Sequence, residues 1–252
     1  MADTNEITNN NEKVISVENL NISFGEQQVL KNLSLYLLKG ENLIVLGKSG
    51  SGKSVLIKCI TQLLHPDSGT INVLGKDVNT AGRKELGALR KKIGFLFQSG
   101  ALYDSMTVKE NLQFPLRRIK KGITDKEMQE KIEQTLENVG LKEALNKMPS
   151  QLSGGMRKRI ALARTIIVDP EIMLYDEPTT GLDPITSDEI SKLINDVKQK
   201  YKTSSIVITH DMPCARLVAD RVVMIRDGAL YAEGKLDELE KSDDEWIRSF
   251  LK

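Results

Sequence analysis

Gly47-Lys48-Ser49-Gly50-Ser51-Gly52-Lys53-Ser54 has the spacing G-x-x-x-x-G-K-[ST] and directly follows a short apolar run at 43–46. Glycines at such spacing let backbone N–H groups turn toward phosphate oxygens, where side chains would obstruct the approach. A helix is expected over 53–64, and its N-terminus would present a partial positive charge to the same anion. Lys53 can neutralise the outer phosphates, and the Ser54 hydroxyl can ligate Mg²⁺. Asp176-Glu177 closes a second apolar run, 172–175, placing two carboxylates at a strand end. In open α/β sheets nucleotides bind at that edge. Asp176 would hold Mg²⁺ through its water shell, and Glu177 would orient or deprotonate an attacking water. His210 follows a third apolar run, 206–208. Its ring could hydrogen-bond a terminal phosphate and so distinguish a triphosphate from a diphosphate.

Short segments of strand character must position these residues. They lie at 14–20, 29–37, 43–46, 70–74, 93–97, 172–175, 205–209 and 222–225. The last is followed by Asp227-Gly228 and by 229–232, the pattern of a hairpin with a tight turn. The run at 43–46 is wholly apolar, as in a parallel strand buried on both faces. Between about 107 and 168 the pattern is helical instead. Thr124 and Glu127 form a capping box ahead of Met128, Ile132, Leu136 and Val139, which share one helical face. The expected fold is α/β with a helical block interrupting the core; the phosphate loop resembles that of P-loop NTPases, a resemblance that implies a RecA-like core with an inserted α-helical subdomain and an N-terminal antiparallel β subdomain. Residues 1–13 read as a flexible tail and 14–235 as the nucleotide-binding domain, with the helical subdomain at about 99–168. Residues 236–252 read as a short C-terminal helix.

Composition narrows the function. The 252 residues are 40% hydrophobic and 28% charged, enough for a folded core. Lys and Arg number 36 against 35 Asp and Glu, a net charge of +1, so no global attraction to nucleic acid follows. No apolar run approaches the ~20 residues of a membrane span, and the N-terminus has no secretory pattern. Cys59 and Cys214 lack metal-site spacing and read as free thiols of a reducing compartment.

Leu152-Ser153-Gly154-Gly155-Met156 opens a helix, with Ser153 suited to cap it. In this order with the preceding motifs, the chain resembles the nucleotide-binding subunit of an ABC transporter across about 14–235. The resemblance implies ATP and Mg²⁺ as cofactors and ATP hydrolysis as the activity. It makes Gln98 the Q-loop residue that contacts Mg²⁺, and Ser153, Gly154 and Gly155 the signature. It makes Asp183 the D-loop aspartate, with Gly181 where the family more often has Ala, and His210 the switch histidine. Phe24 is the aromatic expected to stack on adenine. Two cassettes of the family meet head to tail around two ATP, so a second copy of the chain and membrane permease subunits are implied partners. The implied location is the cytoplasmic face of the inner membrane, peripherally bound.

Gln98-Ser99-Gly100-Ala101-Leu102 is similar, more narrowly, to ATPases of Mla-type phospholipid transport systems, as are Asp183-Pro184-Ile185-Thr186 and His210-Asp211-Met212-Pro213. That resemblance implies phospholipid cargo, maintenance of outer-membrane lipid asymmetry and an MCE-domain lipid-binding partner. The rival is a cassette energising transport of another solute. A chromosome-organising ATPase would carry heptads or a cysteine cluster, and a GTPase would carry Asp where Pro149 stands in Asn146-Lys147-Met148-Pro149. Residues 100–106 fit either core packing or a groove for a permease helix. Arg117, Arg118, Lys120 and Lys121 read as a solvated basic loop.

Overall fold

A computed structural model describes residues 12–251. Residues 1–11 of the expected tail lie outside the described residues, and Lys13 already belongs to the first strand. That strand, β1 (Lys13–Phe24), pairs antiparallel with β2 (Gln27–Leu38) and with β4 (Ser68–Val73), which in turn pairs with β5 (Lys76–Asp77).

The second sheet carries the site. Its strand order is β10-β9-β3-β8-β7-β6. These strands are β3 (Asn42–Leu46), β6 (Ile93–Leu96), β7 (Ile172–Asp176), β8 (Ser204–Ile208), β9 (Arg221–Arg226) and β10 (Ala229–Gly234). All neighbours are parallel except β9–β10. Both faces are covered, which explains the continuous apolar runs. Leu43, Val45, Ile206 and Ile208 point into a core shared with the antiparallel sheet and α1 (Lys53–Ile60). Ile44, Leu46 and Val207 point into a core shared with the helices. The β9–β10 turn has positive φ at both Asp227 (52°) and Gly228 (83°), the twist-matched hairpin turn anticipated for Asp-Gly.

The helical block comprises α3 (Val108–Ile119), α4 (Asp125–Asn138) and α5 (Gly154–Ile166). Thr124 Oγ1 accepts from Glu127 N at 3.3 Å, and Thr124 N donates to Glu127 Oε2 at 2.9 Å, completing the capping box. Met128, Ile132, Leu136 and Val139 are buried together as their spacing predicts. Ahead of this block stands α2 (Arg83–Arg90); after it come α6 (Pro184–Tyr201) and α7 (Met212–Val218). The C-terminal region departs from expectation. Instead of one helix over 236–252 it forms α8 (Leu236–Glu240) and α9 (Glu245–Leu251). Asp244 separates them, with its Oδ1 accepting from Ile247 N at 2.9 Å.

Candidate nucleotide site

Because β3, β8, β7 and β6 are parallel neighbours, the segments leaving their C-terminal ends converge on one edge. These are the phosphate loop after β3, His210 after β8, Glu177 after β7 and Gln98 after β6. A cavity of about 600 Å³ is lined there by Gly47–Gly50, Gly52, Lys53, Ser54, Gln98, Glu177 and His210.

The loop is shaped for an anion. Gly52 adopts φ +97°, and a β-carbon on it would strike Leu30 and Val29, so no other residue fits. Helix α1 starts at Lys53 with no side-chain cap and no acidic residue in its first turn, leaving its leading N–H groups free for a ligand. Ser51 Oγ is buried without a hydrogen-bond partner. Lys53 Nζ folds back over the loop, donating to Gly47 O at 2.7 Å and Lys48 O at 3.0 Å. Burial holds the Lys53 ammonium below its ordinary pKa, against the opposing pull of Glu177 and Asp176. A desolvated cation, an orphaned hydroxyl and an uncapped helix start together fit a polyphosphate.

Ser54 Oγ donates to Asp176 Oδ1 at 2.9 Å, so hydroxyl and carboxylate form one oxygen pair beside the loop. Burial raises the Asp176 pKa; the Ser54 hydrogen bond opposes this and the Glu177 charge adds to it. Hard oxygen donors of this kind suit Mg²⁺, which takes few protein ligands and keeps waters or phosphate oxygens for the rest. Glu177 stands in left-handed backbone, φ 51°, just past the strand. That conformation costs a non-glycine residue roughly 1–2 kcal/mol. It is held by Glu177 N donating to Ile208 O at 2.9 Å and by Lys158 Nζ donating to Glu177 O at 3.3 Å. The Glu177 carboxylate meets His210 Nδ1 at 2.8 Å and accepts from Thr180 Oγ1 at 3.1 Å.

Lys158 is a functional candidate that the sequence reading missed. Its buried ammonium also donates to Gln98 O, clamping the end of β6 to the end of β7. Burial lowers its pKa as it does that of Lys53. In sequence it sits between Arg157 and Arg159 and is indistinguishable from a solvated charge.

Other expected residues stand apart from the phosphate loop within the chain. Ser153 caps α5, its Oγ accepting from Met156 N at 3.2 Å. A β-carbon on Gly155 would strike the Thr186 side chain, and Thr186 donates to Asp183. The signature start and the Asp183 turn are thus neighbours, but none of Ser153, Gly154, Gly155 and Asp183 lines the cavity. Phe24, 49% exposed, pairs with Gln27 at the tip of the β1–β2 hairpin. A second cavity, about 720 Å³, adjoins the phosphate loop and is lined from Glu26 onward, so Phe24 lies outside its wall. Residues 100–106 are held by buried Asn111, which accepts from Tyr103 N at 2.9 Å and donates to Met106 O at 3.0 Å. Leu102 packs on the core, whereas Tyr103 remains 40% exposed.

Comparison with known proteins identifies the family. Residues 30–180 match the ABC transporter family. The chain belongs to that family. It is the ATP-binding subunit of an ABC transporter, an ATP-hydrolysing enzyme. It is 38% identical to the intermembrane phospholipid transport system ATP-binding protein MlaF of Haemophilus influenzae, over 96% of this chain and 91% of that one. It is also 38% identical to the probable ribonucleotide transport ATP-binding protein mkl of Mycobacterium leprae, over 94% of this chain and 68% of that one. Among solved structures it is similar to a dimeric post-hydrolysis state of the ATP-binding cassette MJ0796 bound to ADP and Pi. That likeness has TM-score 0.80 and 32% identity, covering 88% of this chain and 98% of that one.

Proposed function

We propose that this ATPase energises the movement of phospholipid between membranes. The observation that carries the reading is the end-to-end match to MlaF, which spans nearly the whole of both chains. The Gln98–Leu102 run points the same way. In this reading the Gly47–Ser54 backbone and Lys53 hold the ATP phosphates. Ser54 and Asp176, with Gln98 nearby, would hold Mg²⁺, which neutralises phosphate charge as the terminal phosphoryl group leaves. Glu177 accepts the proton of the water that attacks the terminal phosphorus as the bond to the bridging oxygen breaks. His210, against the Glu177 carboxylate, orients it and reports the terminal phosphate.

One chain offers one phosphate loop and one signature, and the two do not share a cavity. A second copy would complete each site head to tail, bringing Ser153, Gly154, Gly155 and Asp183 to the partner's nucleotide, as the dimeric state of MJ0796 supports. The surface around Phe97 and Tyr103, 38% and 40% exposed, would receive a permease helix. Among the described residues no helix is long and apolar enough to cross a membrane, consistent with peripheral attachment to permease subunits at the inner membrane. An MCE-domain protein would complete the complex.

Purification of the tagged chain from detergent-solubilised membranes, with proteins and lipids identified by mass spectrometry, tests the cargo. A permease recovered with an MCE-domain protein and phospholipid is the expected result. A permease recovered with a different solute-binding protein would favour the other reading, for which the likeness to mkl is the specific support.

A further inference from the structure

Two main-chain carbonyls at the edge of the sheet that carries the site share one buried cation. Lys158 is 7% exposed, and its ammonium donates to Gln98 O, just past β6, and to Glu177 O at 3.3 Å, just past β7. It does not line the nucleotide cavity, as Lys53 does. Burying an ammonium is costly unless partners hold it, so a position that needed only packing would be better filled by an apolar side chain. The two carbonyls are what this charge holds.

Glu177 stands at φ 51°, a conformation that persists only where its surroundings over-determine it. Glu177 N donates to Ile208 O at 2.9 Å, and Glu177 O accepts from Thr180 N at 3.3 Å as well as from Lys158. The ammonium thus helps to fix the backbone that sets where the Glu177 carboxylate points. On its other side it joins α5 to the 98–101 loop, which α5 grips twice more. A β-carbon on Gly100 would meet Ala161 Cβ at 3.3 Å, and Arg164 donates to Ala101 O. Lys158, Ala161 and Arg164 recur every three residues, on one side of the helix. The loop is bound to α5 along its length, and Lys158 carries that attachment across to Glu177.

We infer that Lys158 is a positioning residue for ATP hydrolysis, holding the Glu177 and Gln98 main chains in one geometry and tying both to the helix that opens at Ser153. The inference rests on the reading of Glu177 as the base. Lys158 acts through the main chain of Glu177 and not on the nucleotide, so its loss falls on the chemical step and spares ATP binding.

Single-turnover phosphate release and calorimetry with Mg²⁺-free ATP, both on the full chain, separate the two. Lys158→Met keeps the reach of the side chain and removes its donors, and a fold commonly tolerates exchange of a buried charge for an apolar group of similar volume. It should slow phosphate release about 10- to 100-fold, the order that misplacing a reacting group by about 1 Å costs. ATP affinity should stay within about threefold of wild type. Lys158→Arg, which keeps a cation with several N–H donors, should release phosphate faster than Lys158→Met. In a Glu177→Gln background, Lys158→Met should add less than about threefold, because residues acting through one group are non-additive. Lys158→Gln carries the same test if the methionine variant does not fold. Hydrolysis by Lys158→Met at the wild-type rate overturns the inference. So does joint loss of rate and ATP affinity that arginine does not restore, which would mark a purely structural role, and so does a double variant showing the full product of both losses. A Glu177→Gln chain that hydrolyses at the wild-type rate would instead remove the base reading, and this inference with it.

Discussion

Glu177→Gln separates chemistry from binding. The substitution keeps side-chain length and an oxygen that can accept from Thr180 Oγ1, whose present bond to Glu177 Oε2 is 3.1 Å. It removes the carboxylate charge that faces His210 Nδ1 at 2.8 Å. Because the His210 side chain is 64% exposed, that pairing falls in the class worth about 0–1 kcal/mol. The expected change in ATP affinity is therefore below about 5-fold. Loss of a positioned general base costs about 10²–10⁴ in rate, or roughly 2.7–5.4 kcal/mol at ~1.36 kcal/mol per decade. The kinetic effect should exceed the binding effect by at least an order of magnitude. Single-turnover phosphate release gives the first and calorimetry the second; sedimentation should show an ATP-bound dimer that persists. If His210 acts through Glu177, the double variant with His210→Ala should lie within about threefold of Glu177→Gln alone, since members of one catalytic unit are strongly non-additive. A Glu177→Gln rate within tenfold of wild type, or a double variant showing the full product of both losses, would refute the assignment.

Three further outcomes follow from the same contacts. Burial lowers the Lys53 pKa in the free chain, and a bound polyphosphate favours the charged form. ATP binding should therefore take up a proton as pH rises toward the lowered value, and affinity should fall with pH in that alkaline window; calorimetry in buffers of different ionisation enthalpy measures it. Arg221 donates to Glu41 Oε1 at 2.7 Å, Glu41 Oε2 at 2.9 Å and Tyr36 O at 2.7 Å, with its side chain 13% and that of Glu41 9% exposed. Arg221→Ala strands the Glu41 carboxylate and should cost about 3–5 kcal/mol, read as a drop in Tm of roughly 10 °C for a domain of this size. Tyr175 is fully buried with no hydrogen-bond partner for its hydroxyl. Tyr175→Phe should raise stability by up to about 1 kcal/mol, since an unpaired buried hydroxyl is costly; unchanged or lower stability in urea unfolding would place a partner there.

The parallel strands were legible because burial on both faces leaves continuous apolar runs, and because each catalytic candidate directly follows such a run. The capping box at Thr124 and Glu127 was legible for a similar reason: its chemistry lies within four residues. What escaped lacks a local signal. Helix α2 (Arg83–Arg90) buries only Leu89, so its apolar stripe is too thin to read. The two-residue strand β5 exists only through its pairing with β4. Lys158 is hidden in a basic run and becomes a clamp only because α5 passes beside the ends of β6 and β7.

The C-terminal helix α9 marks the limit of motif reading. Phe24 takes its expected role from family resemblance alone. Trp246 had no claim of that kind: α9 is seven residues long and carries no motif. Its place follows from tertiary anchors instead. Ile247 and Leu251 sink into the helical core, Asp244 fixes the helix start, and Tyr231 on the edge strand β10 sets the ring. Phosphate contacts are made by backbone groups whose geometry demands particular residues at fixed spacing, so they leave a signature in the sequence. The phosphate loop is therefore written in the spacing of glycines, and the position of α9 in packing that no local pattern announces.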